Sequence, residues 1–224
     1  MRDTFQIYEE ATFATVAVTD DEVEPLRLTP EGARNPPYEP PRPLNGPKLE
    51  ALKDYLDQLL VKGFIQPSKS SFGAPVLLVV KTDGTYRFTV DYRRLNDVVE
   101  RDRFCLPTPD SIFQMIKQAD AKVFSAVDAM NSFWQVRLRP EDREKTAMST
   151  PFGLYEWLVC PQGLSNSPGT LQRVLTKALG ELVGKCCAVY LDDVIIFSKT
   201  LDEHEKHLAM VLERLGAAQI RLKE

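Results

Sequence analysis

The 224-residue sequence has no apolar run approaching the roughly 18 residues that a membrane-spanning helix needs. No membrane partner is expected. Its start, Met1-Arg2-Asp3-Thr4-Phe5-Gln6, has acids close behind it and no apolar segment, so it is not read as a secretory signal. Cysteine is scarce: Cys105, Cys160, Cys186 and Cys187 show neither paired CxxC spacing nor the density of a disulfide scaffold. Reduced thiols in a cytosolic or nuclear setting are expected. A basic surplus is also missing. The net charge is −4, and residues 81–103 carry six basic and five acidic side chains, which is no basic stripe. Asp20, Asp21, Glu22 and Glu24 concentrate part of the acid excess near the N-terminus. Composition alone therefore gives no electrostatic footprint of a nucleic-acid binder. No internal repeat is visible, which excludes a solenoid or propeller.

The remaining bulk properties are ordinary. An apolar fraction of 43% and a charged fraction of 27% suit a soluble globular protein, and the length allows one large domain or two small ones. Eight of the sixteen prolines lie between Pro25 and Pro47. Proline fixes φ, removes a donor and extends its predecessor, so residues 1–44 are expected to form an extended arm or linker. Pro47 then suits a first helical turn, and Leu49, Leu52, Leu56, Leu59 and Leu60 share one helical face until Gly63. Residues 74–80 read as a buried strand and Asp83-Gly84 as a hairpin turn. The return strand alternates Tyr86, Phe88, Val90 and Tyr92 against Arg87, Thr89, Asp91 and Arg93. Helices are expected after Thr108-Pro109-Asp110, after Ser167-Pro168 and after the capping box Thr200-Leu201-Asp202-Glu203. Strands are expected at 122–128, 134–138, 146–150, 154–159, 187–190 and 194–197. Strands and helices mix without strict alternation, so the fold class is α+β.

The chemistry concentrates in Tyr190-Leu191-Asp192-Asp193, which lies between two apolar strands. Ionised aspartates are costly at such a place, and two at one hairpin tip repel unless a cation sits between them. A bare Asp-Asp pair is most often a plain acidic turn; the apolar arms on both sides argue for a rigid, half-buried mount instead. Asp128 ends the run Phe124-Ser125-Ala126-Val127-Asp128, a strand that can lie beside the hairpin. By itself Asp128 could equally be a turn or cap residue. Mg²⁺ takes oxygen ligands, usually one or two carboxylates with substrate phosphates. Three aspartates on adjoining strand ends could therefore hold two ions for in-line attack at phosphorus.

Tyr190-Leu191-Asp192-Asp193 resembles the YxDD signature of reverse transcriptases. Val90-Asp91-Tyr92-Arg93-Arg94-Leu95-Asn96 is similar to the VDYRxLN stretch of Ty3/Gypsy-type long-terminal-repeat retrotransposons. Phe124 to Gln135, Pro161-Gln162-Gly163-Leu164-Ser165-Asn166-Ser167-Pro168, and Phe197-Ser198 with Glu203-His204 match the same family in order. The resemblance implies the fingers and palm of a right-hand polymerase, the palm being a ferredoxin-like βαββαβ sheet backed by helices. Fingers would occupy about 45–100 and 136–166, and palm about 101–135 and 167–224. Asp128, Asp192 and Asp193 would hold two Mg²⁺ ions, for which Mn²⁺ can substitute. Phe133 would be the steric gate against a ribose 2′-hydroxyl, and Gln162 would lie near the incoming sugar and base. Lys81 and Arg87 would grip the triphosphate, while Tyr190, Arg93 and Asp91 would stand at the nucleic acid. The implied activity is RNA- or DNA-templated synthesis of DNA from dNTPs on a primer. It would occur in the cytoplasm, within a virus-like particle, or in the nucleus.

Further features qualify this reading. Relatives usually carry Tyr-His where this sequence has Phe133-Trp134, and Pro-Phe-Gly where it has Pro161-Gln162-Gly163; both changes look retroviral. An RNA-dependent RNA polymerase would share the aspartates but carry a polar residue, usually Asp, in place of Phe133. A domesticated or truncated fragment that binds nucleic acid or a protein partner without efficient synthesis is the other alternative. No thumb, RNase H carboxylate set or protease triplet is found, so the chain reads as one piece of a pol polyprotein that also holds protease, thumb, RNase H and integrase. His204 and His207, three apart on a helix, have the spacing of metal ligands, but no third ligand is evident and a polar helix face is expected.

Overall fold

The computed structural model describes Val23 and residues 25–223. Asp20, Asp21, Glu22 and Glu24, and most of the expected arm, lie outside the described residues. In chain order the helices and strands are α1 (Pro30–Arg34), α2 (Pro47–Val61), β1 (Ile65–Pro67), β2 (Ala74–Val80), β3 (Tyr86–Val90), α3 (Arg93–Val98), α4 (Pro109–Gln118), β4 (Val123–Asp128), α5 (Pro140–Arg143), β5 (Met148–Thr150), β6 (Gly153–Trp157), α6 (Ser167–Leu179), β7 (Cys187–Tyr190), β8 (Asp193–Ser198) and α7 (Leu201–Ala217). The class is α+β. No helix among the described residues is long and apolar enough to cross a membrane. Two compact units divide the chain: one takes Pro25–Glu100 and Leu138–Ser165, the other Arg101–Arg137 and residues from Asn166 onward.

The first unit is built on a five-stranded sheet in the order β1-β6-β5-β2-β3, antiparallel except where β2 and β5 run parallel. Helix α2 buries Ala51, Leu52, Leu56 and Leu59, the i, i+3, i+4 spacing of a core-facing stripe. Tyr55 stacks on Phe88, which meets Trp157 edge to face. Burying aromatic rings of this size supplies much of the unit's apolar stabilisation. The β2–β3 hairpin closes through Lys81–Thr85, with Gly84 at φ +81° supplying the left-handed residue of the turn. Its outer end is less buried than a continuous apolar run suggests: Val79 and Val80 are 51% and 56% exposed. Strand β5 reaches only Ala74 and Pro75, so among the described residues β3 is the only strand paired with the outer end of β2.

Residues 25–44 depart from the expected extended arm. Pro30 opens a single-turn helix capped by Thr29, whose hydroxyl accepts from the Gly32 amide. Proline suits a first helical turn, where its missing N–H would be unpaired anyway. The flanking chain is pinned at several points. The Leu26 amide donates to the buried Asp142 carboxylate at 2.9 Å, Leu28 bridges to Val99, and Glu39 and Tyr38 pair with Gly73. Arg42 reaches Asp91 at 2.9 Å.

The second unit carries the antiparallel sheet β4-β8-β7. After α7 the chain returns to the free side of β4, where Leu222 bridges Ala129 and the Met130 amide donates to Arg221 at 3.0 Å. The sequence β4-α6-β7-β8-α7 followed by this returning segment is the βαββαβ arrangement of a split βαβ fold. On one face of the sheet, Phe197 and Ala188 pack with Ile112 of α4, flanked by Met115, Ile116 and Ile195. The opposite face carries Ser125 and Ser198, both bonded to the buried His204 of α7. Thr108 and Thr200 cap α4 and α7 through their hydroxyls, as their sequence positions imply.

Two expectations fail here. The strand expected at 134–138 does not form. Asn131 instead adopts a left-handed conformation (φ +48°) and starts a 3₁₀ turn over Ser132–Gln135. Helix α7 buries His204 with Val211 and Leu215, against the polar helix face expected at that position.

Asp91 is the polar anchor of the first unit. Buried at 8% exposure, it accepts from Arg93 Nε at 2.7 Å and Nη2 at 2.6 Å, and from Arg42 Nη2. The Arg93 hydrogen bond chiefly holds its carboxyl below the usual aspartate range, against the opposing effect of burial. A lowered folded-state value means that the charged form is stabilised by folding; this contribution is present above the unfolded value and is lost as pH falls through the lowered one. Asp91→Asn should destabilise the protein by about 1.5–3 kcal/mol at neutral pH. In thermal melts against pH, the gap from wild type should hold above about pH 3.9 and shrink below it. A gap that grows on acidification would contradict the assignment.

Candidate active site

Asp128 is the last residue of β4, and its Cα partner across the antiparallel ladder is Asp193, the first residue of β8. Directly opposed residues in such a ladder have Cα atoms roughly 4.5–5.5 Å apart and side chains on the same face. Tyr190 is opposed to Asp193 from the other side. Leu191 and Asp192 form the two-residue loop between β7 and β8. The backbone therefore gathers Asp128, Asp192, Asp193 and Tyr190 at one end of one sheet, as their sequence positions suggest.

The electrostatics follow from that placement. Asp193 has its pKa raised by partial desolvation and by the Asp192 and Asp128 carboxylates. The group is exposed, so solvent screens the repulsion without removing it. Lys223 Nζ stands 4.0 Å from Asp128 Oδ2, and the Lys223 amide donates to the Asp128 carbonyl at 2.9 Å. Among the described residues, no group of three or more His, Cys, Asp or Glu side chains closes into a cage for a metal ion. Asp128 and Asp193 are exposed and Asp192 is half-buried, so their carboxylates are accessible from solvent. Such a donor set fits a hard divalent cation that takes its other oxygens from water and substrate phosphates, and a cation there would relieve the repulsion felt by Asp193.

Leu191 has φ +58°. A primed two-residue hairpin favours glycine at such a position, and a left-handed leucine costs on the order of 1–3 kcal/mol. Its amide donates to Gln172 Oε1 at 2.8 Å, and Gln172 Nε2 donates to the Val189 carbonyl at 2.9 Å. Gln172 was not singled out from sequence. The available sign was its place at i−3 from Leu175 and i−7 from Leu179, a polar residue within the apolar stripe of α6.

Phe133 lies half-buried in the 3₁₀ turn that follows Asp128 in the same unit. Buried Gln135 secures that turn: its Nε2 donates to the Met130 and Arg221 carbonyls at 2.6 and 3.0 Å, and its Oε1 accepts from the Arg221 amide at 2.8 Å. The other candidates belong to the first unit. Gln162 is exposed, beside Gly163 at φ +102°. Asn96 holds this loop, donating to the Gly163 carbonyl and accepting from the Ser165 amide, both at 2.9 Å. Arg87 is exposed opposite Val79, and Lys81 is exposed at the start of the hairpin loop. Arg93 is largely solvent-facing while paired to Asp91. Asp91 itself points inward to two arginines, an anchor rather than an outward-facing group for nucleic acid.

The histidine pair is accounted for without metal. His204 is buried between the Ser125 and Ser198 hydroxyls at 2.8 and 3.0 Å, and the Ser198 hydroxyl also meets His207 Nδ1 at 2.7 Å. The expected polar outer face is thus an interior hydrogen-bonded cluster. Buried Cys187 has its thiol pushed up to about 12, first by burial and then by Cys186, so it is inert.

Residues 79–224 match the family model described as "Reverse transcriptase (RNA-dependent DNA polymerase)". The sequence is 38% identical over 172 residues to the retrovirus-related Pol polyprotein from transposon opus of Drosophila melanogaster, covering 75% of this chain and 17% of that polyprotein. It is 33% identical over 199 residues to the transposon Tf2-3 polyprotein of Schizosaccharomyces pombe, covering 89% and 15%. The chain thus spans less than a fifth of these relatives. Among solved structures, the prototype foamy virus protease-reverse transcriptase is similar with TM-score 0.75 and 28% identity, over 88% of this chain and 26% of that one. A foamy viral protease-reverse transcriptase in complex with double-stranded DNA is similar with TM-score 0.68 and 26% identity, over 82% and 31%. The architecture accords with polymerase fingers and palm. With the family model matching more than half of its length and the YxDD turn seated on a βαββαβ sheet, the chain belongs to the reverse transcriptase (RNA-dependent DNA polymerase) family, among the long-terminal-repeat retrotransposon polyproteins.

Proposed function

We propose that this chain is the fingers-and-palm core of a DNA polymerase that extends a primer with dNTPs on an RNA or DNA template. The observation that carries the proposal is the cross-strand pair Asp128–Asp193 with Asp192 in the adjoining two-residue loop. The first unit is read as fingers and the second as palm. Asp128, Asp192 and Asp193 would hold two Mg²⁺ ions, with Mn²⁺ as a substitute. Bound there, the metal would lower the pKa of the primer 3′-hydroxyl and neutralise charge on the triphosphate and departing pyrophosphate.

The side chains have separable tasks. The three carboxylates supply negative charge on a rigid strand end, so little reorganisation is needed when the substrate's charge develops. Phe133, mounted by Gln135, excludes a ribose 2′-hydroxyl by bulk and thereby selects deoxynucleotides. Gln162, steadied by Asn96 through its loop, contacts the incoming nucleotide, and Lys81 and Arg87 bind its triphosphate. Tyr190 and Arg93 face template and primer; Asp91 contributes by orienting Arg93. The duplex DNA bound by the similar foamy viral enzyme supports a nucleic-acid partner. The polyprotein relatives support a setting beside other retroelement domains.

Primer extension on RNA and DNA templates with Mg²⁺ or Mn²⁺ tests the reading. Asp192→Asn should lower extension by at least roughly 100-fold with primer–template affinity retained; undiminished extension would remove the metal assignment. Phe133→Ala should weaken discrimination against ribonucleotides by roughly 10-fold or more. A gate role is wrong if the ratio of deoxy- to ribonucleotide use stays constant.

A further inference from the structure

We propose that Gln172 is a positioning residue for the Tyr190–Asp193 turn, its carboxamide acting as a one-residue surrogate strand along the free edge of β7. This rests on the reading of that turn as the polymerase centre. Strand β7 is terminal in the order β4-β8-β7, and beyond the Val183–Cys187 bridge at its start no strand among the described residues pairs with its outer edge. Tyr190 and Asp193 flank the two-residue loop, so the polar groups of Val189 point away from β8 toward that edge. Gln172 donates to the Val189 carbonyl at 2.9 Å and accepts from the Leu191 amide at 2.8 Å. A carbonyl and an amide N–H separated by one residue are the groups that a peptide of a parallel neighbour would engage. The side-chain amide reproduces that pairing around Tyr190, and its orientation is dictated by its partners, because a carbonyl cannot donate.

Three observations show why this position matters to the turn. Gln172 is 3% exposed and projects from α6 between buried Leu171 and the Leu175 stripe, so its amide is fixed by a rigid helix. Leu191 is held at φ +58°, a conformation from which a leucine gains by relaxing. The two bonds bracket Tyr190 and clamp Leu191, the residue immediately before Asp192. Slippage of Leu191 toward an ordinary φ would swing Asp192 away from the Asp128–Asp193 pair. Gln172 does not touch substrate; it fixes the backbone that carries a residue that does. A neutral amide is suited to the task, since a carboxylate would add repulsion beside three others.

The test uses Gln172→Met, which keeps length and loses both hydrogen bonds, in the full 224-residue chain alongside wild type and Asp192→Asn. Amide hydrogen exchange reads the turn directly. The Leu191 amide should exchange at least roughly 10-fold faster in Gln172→Met, while Val194 and Ile196 amides in the central strand keep wild-type rates. Primer extension should lose roughly 10- to 100-fold in kcat with the KM for dNTP little changed. Unchanged Leu191 exchange overturns the brace. Uniform acceleration across β7 and β8 also overturns it, because it marks general loosening. Fast Leu191 exchange with undiminished kcat overturns the positioning role while leaving the polymerase reading intact, provided Asp192→Asn is inactive. Should Asp192→Asn retain full extension, the polymerase reading fails, and the exchange rates still decide whether Gln172 holds the turn.

Discussion

Mutual repulsion among three carboxylates is the constraint around which the second unit is organised. Left to themselves, Asp128, Asp192 and Asp193 would separate; partial desolvation, with the Asp192 and Asp128 charges adding to it, raises the pKa of Asp193. What opposes separation is the hydrogen-bonded ladder of β4, β8 and β7, in which Asp128 and Asp193 are obligatory opposites once the register of Val127 on Val194 is set. A one-residue slip would exchange the faces of Val194 and Phe197, which pack on opposite sides of the sheet. Since Val194, Ile196 and Phe197 are essentially fully buried, the core fixes the register and the register fixes the acids. Apolar packing thus supplies the force that electrostatics alone would undo.

The same logic explains the surroundings of the sheet. Phe197 and Ala188 commit one face to α4, and the Ser125–His204–Ser198 cluster commits the other to α7. With both faces engaged, β8 cannot shift to spread the charges. The returning segment at Leu222 adds backbone pairing beside Asp128 and brings the Lys223 cation to 4.0 Å from it. At half-exposed positions such a pair contributes little to stability; it nevertheless partly offsets a local excess of negative charge.

Legibility from sequence varied with the range of the interactions involved. Helices α2, α4, α6 and α7 announced themselves through capping threonines, first-turn prolines and leucine spacing, all of them local. The aspartates were legible because acids between apolar strands violate the ordinary preference, and the family motifs placed them in order. A strand at 134–138 is not formed because Asn131 goes left-handed and starts a turn held by Gln135 bonding to Arg221, a contact far along the chain. Residues 25–44 looked extended by proline content, yet the backbone finds partners at Gly73, Val99 and Asp142, none of which is near in sequence. His204 looked like a surface residue because a helix pattern cannot show that two serines from β4 and β8 await it.

The amides form a common thread among the residues that sequence did not reveal. Gln172 secures the Tyr190–Asp193 turn, Gln135 the Phe133 turn, and Asn96 the Gln162 loop. Each of these segments carries a left-handed residue, Leu191, Asn131 or Gly163, where the regular ladder is broken and backbone groups lack their usual partners. A carboxamide offers a donor and an acceptor on one planar group, so it can satisfy a displaced N–H and C=O together. It does so without charge, which matters where carboxylates are already crowded. Lysine or glutamate could serve only half of each pair and would perturb the field at the site. In each of these irregular segments a neutral amide, which no periodic pattern in the sequence exposes, bonds both a backbone N–H and a backbone C=O.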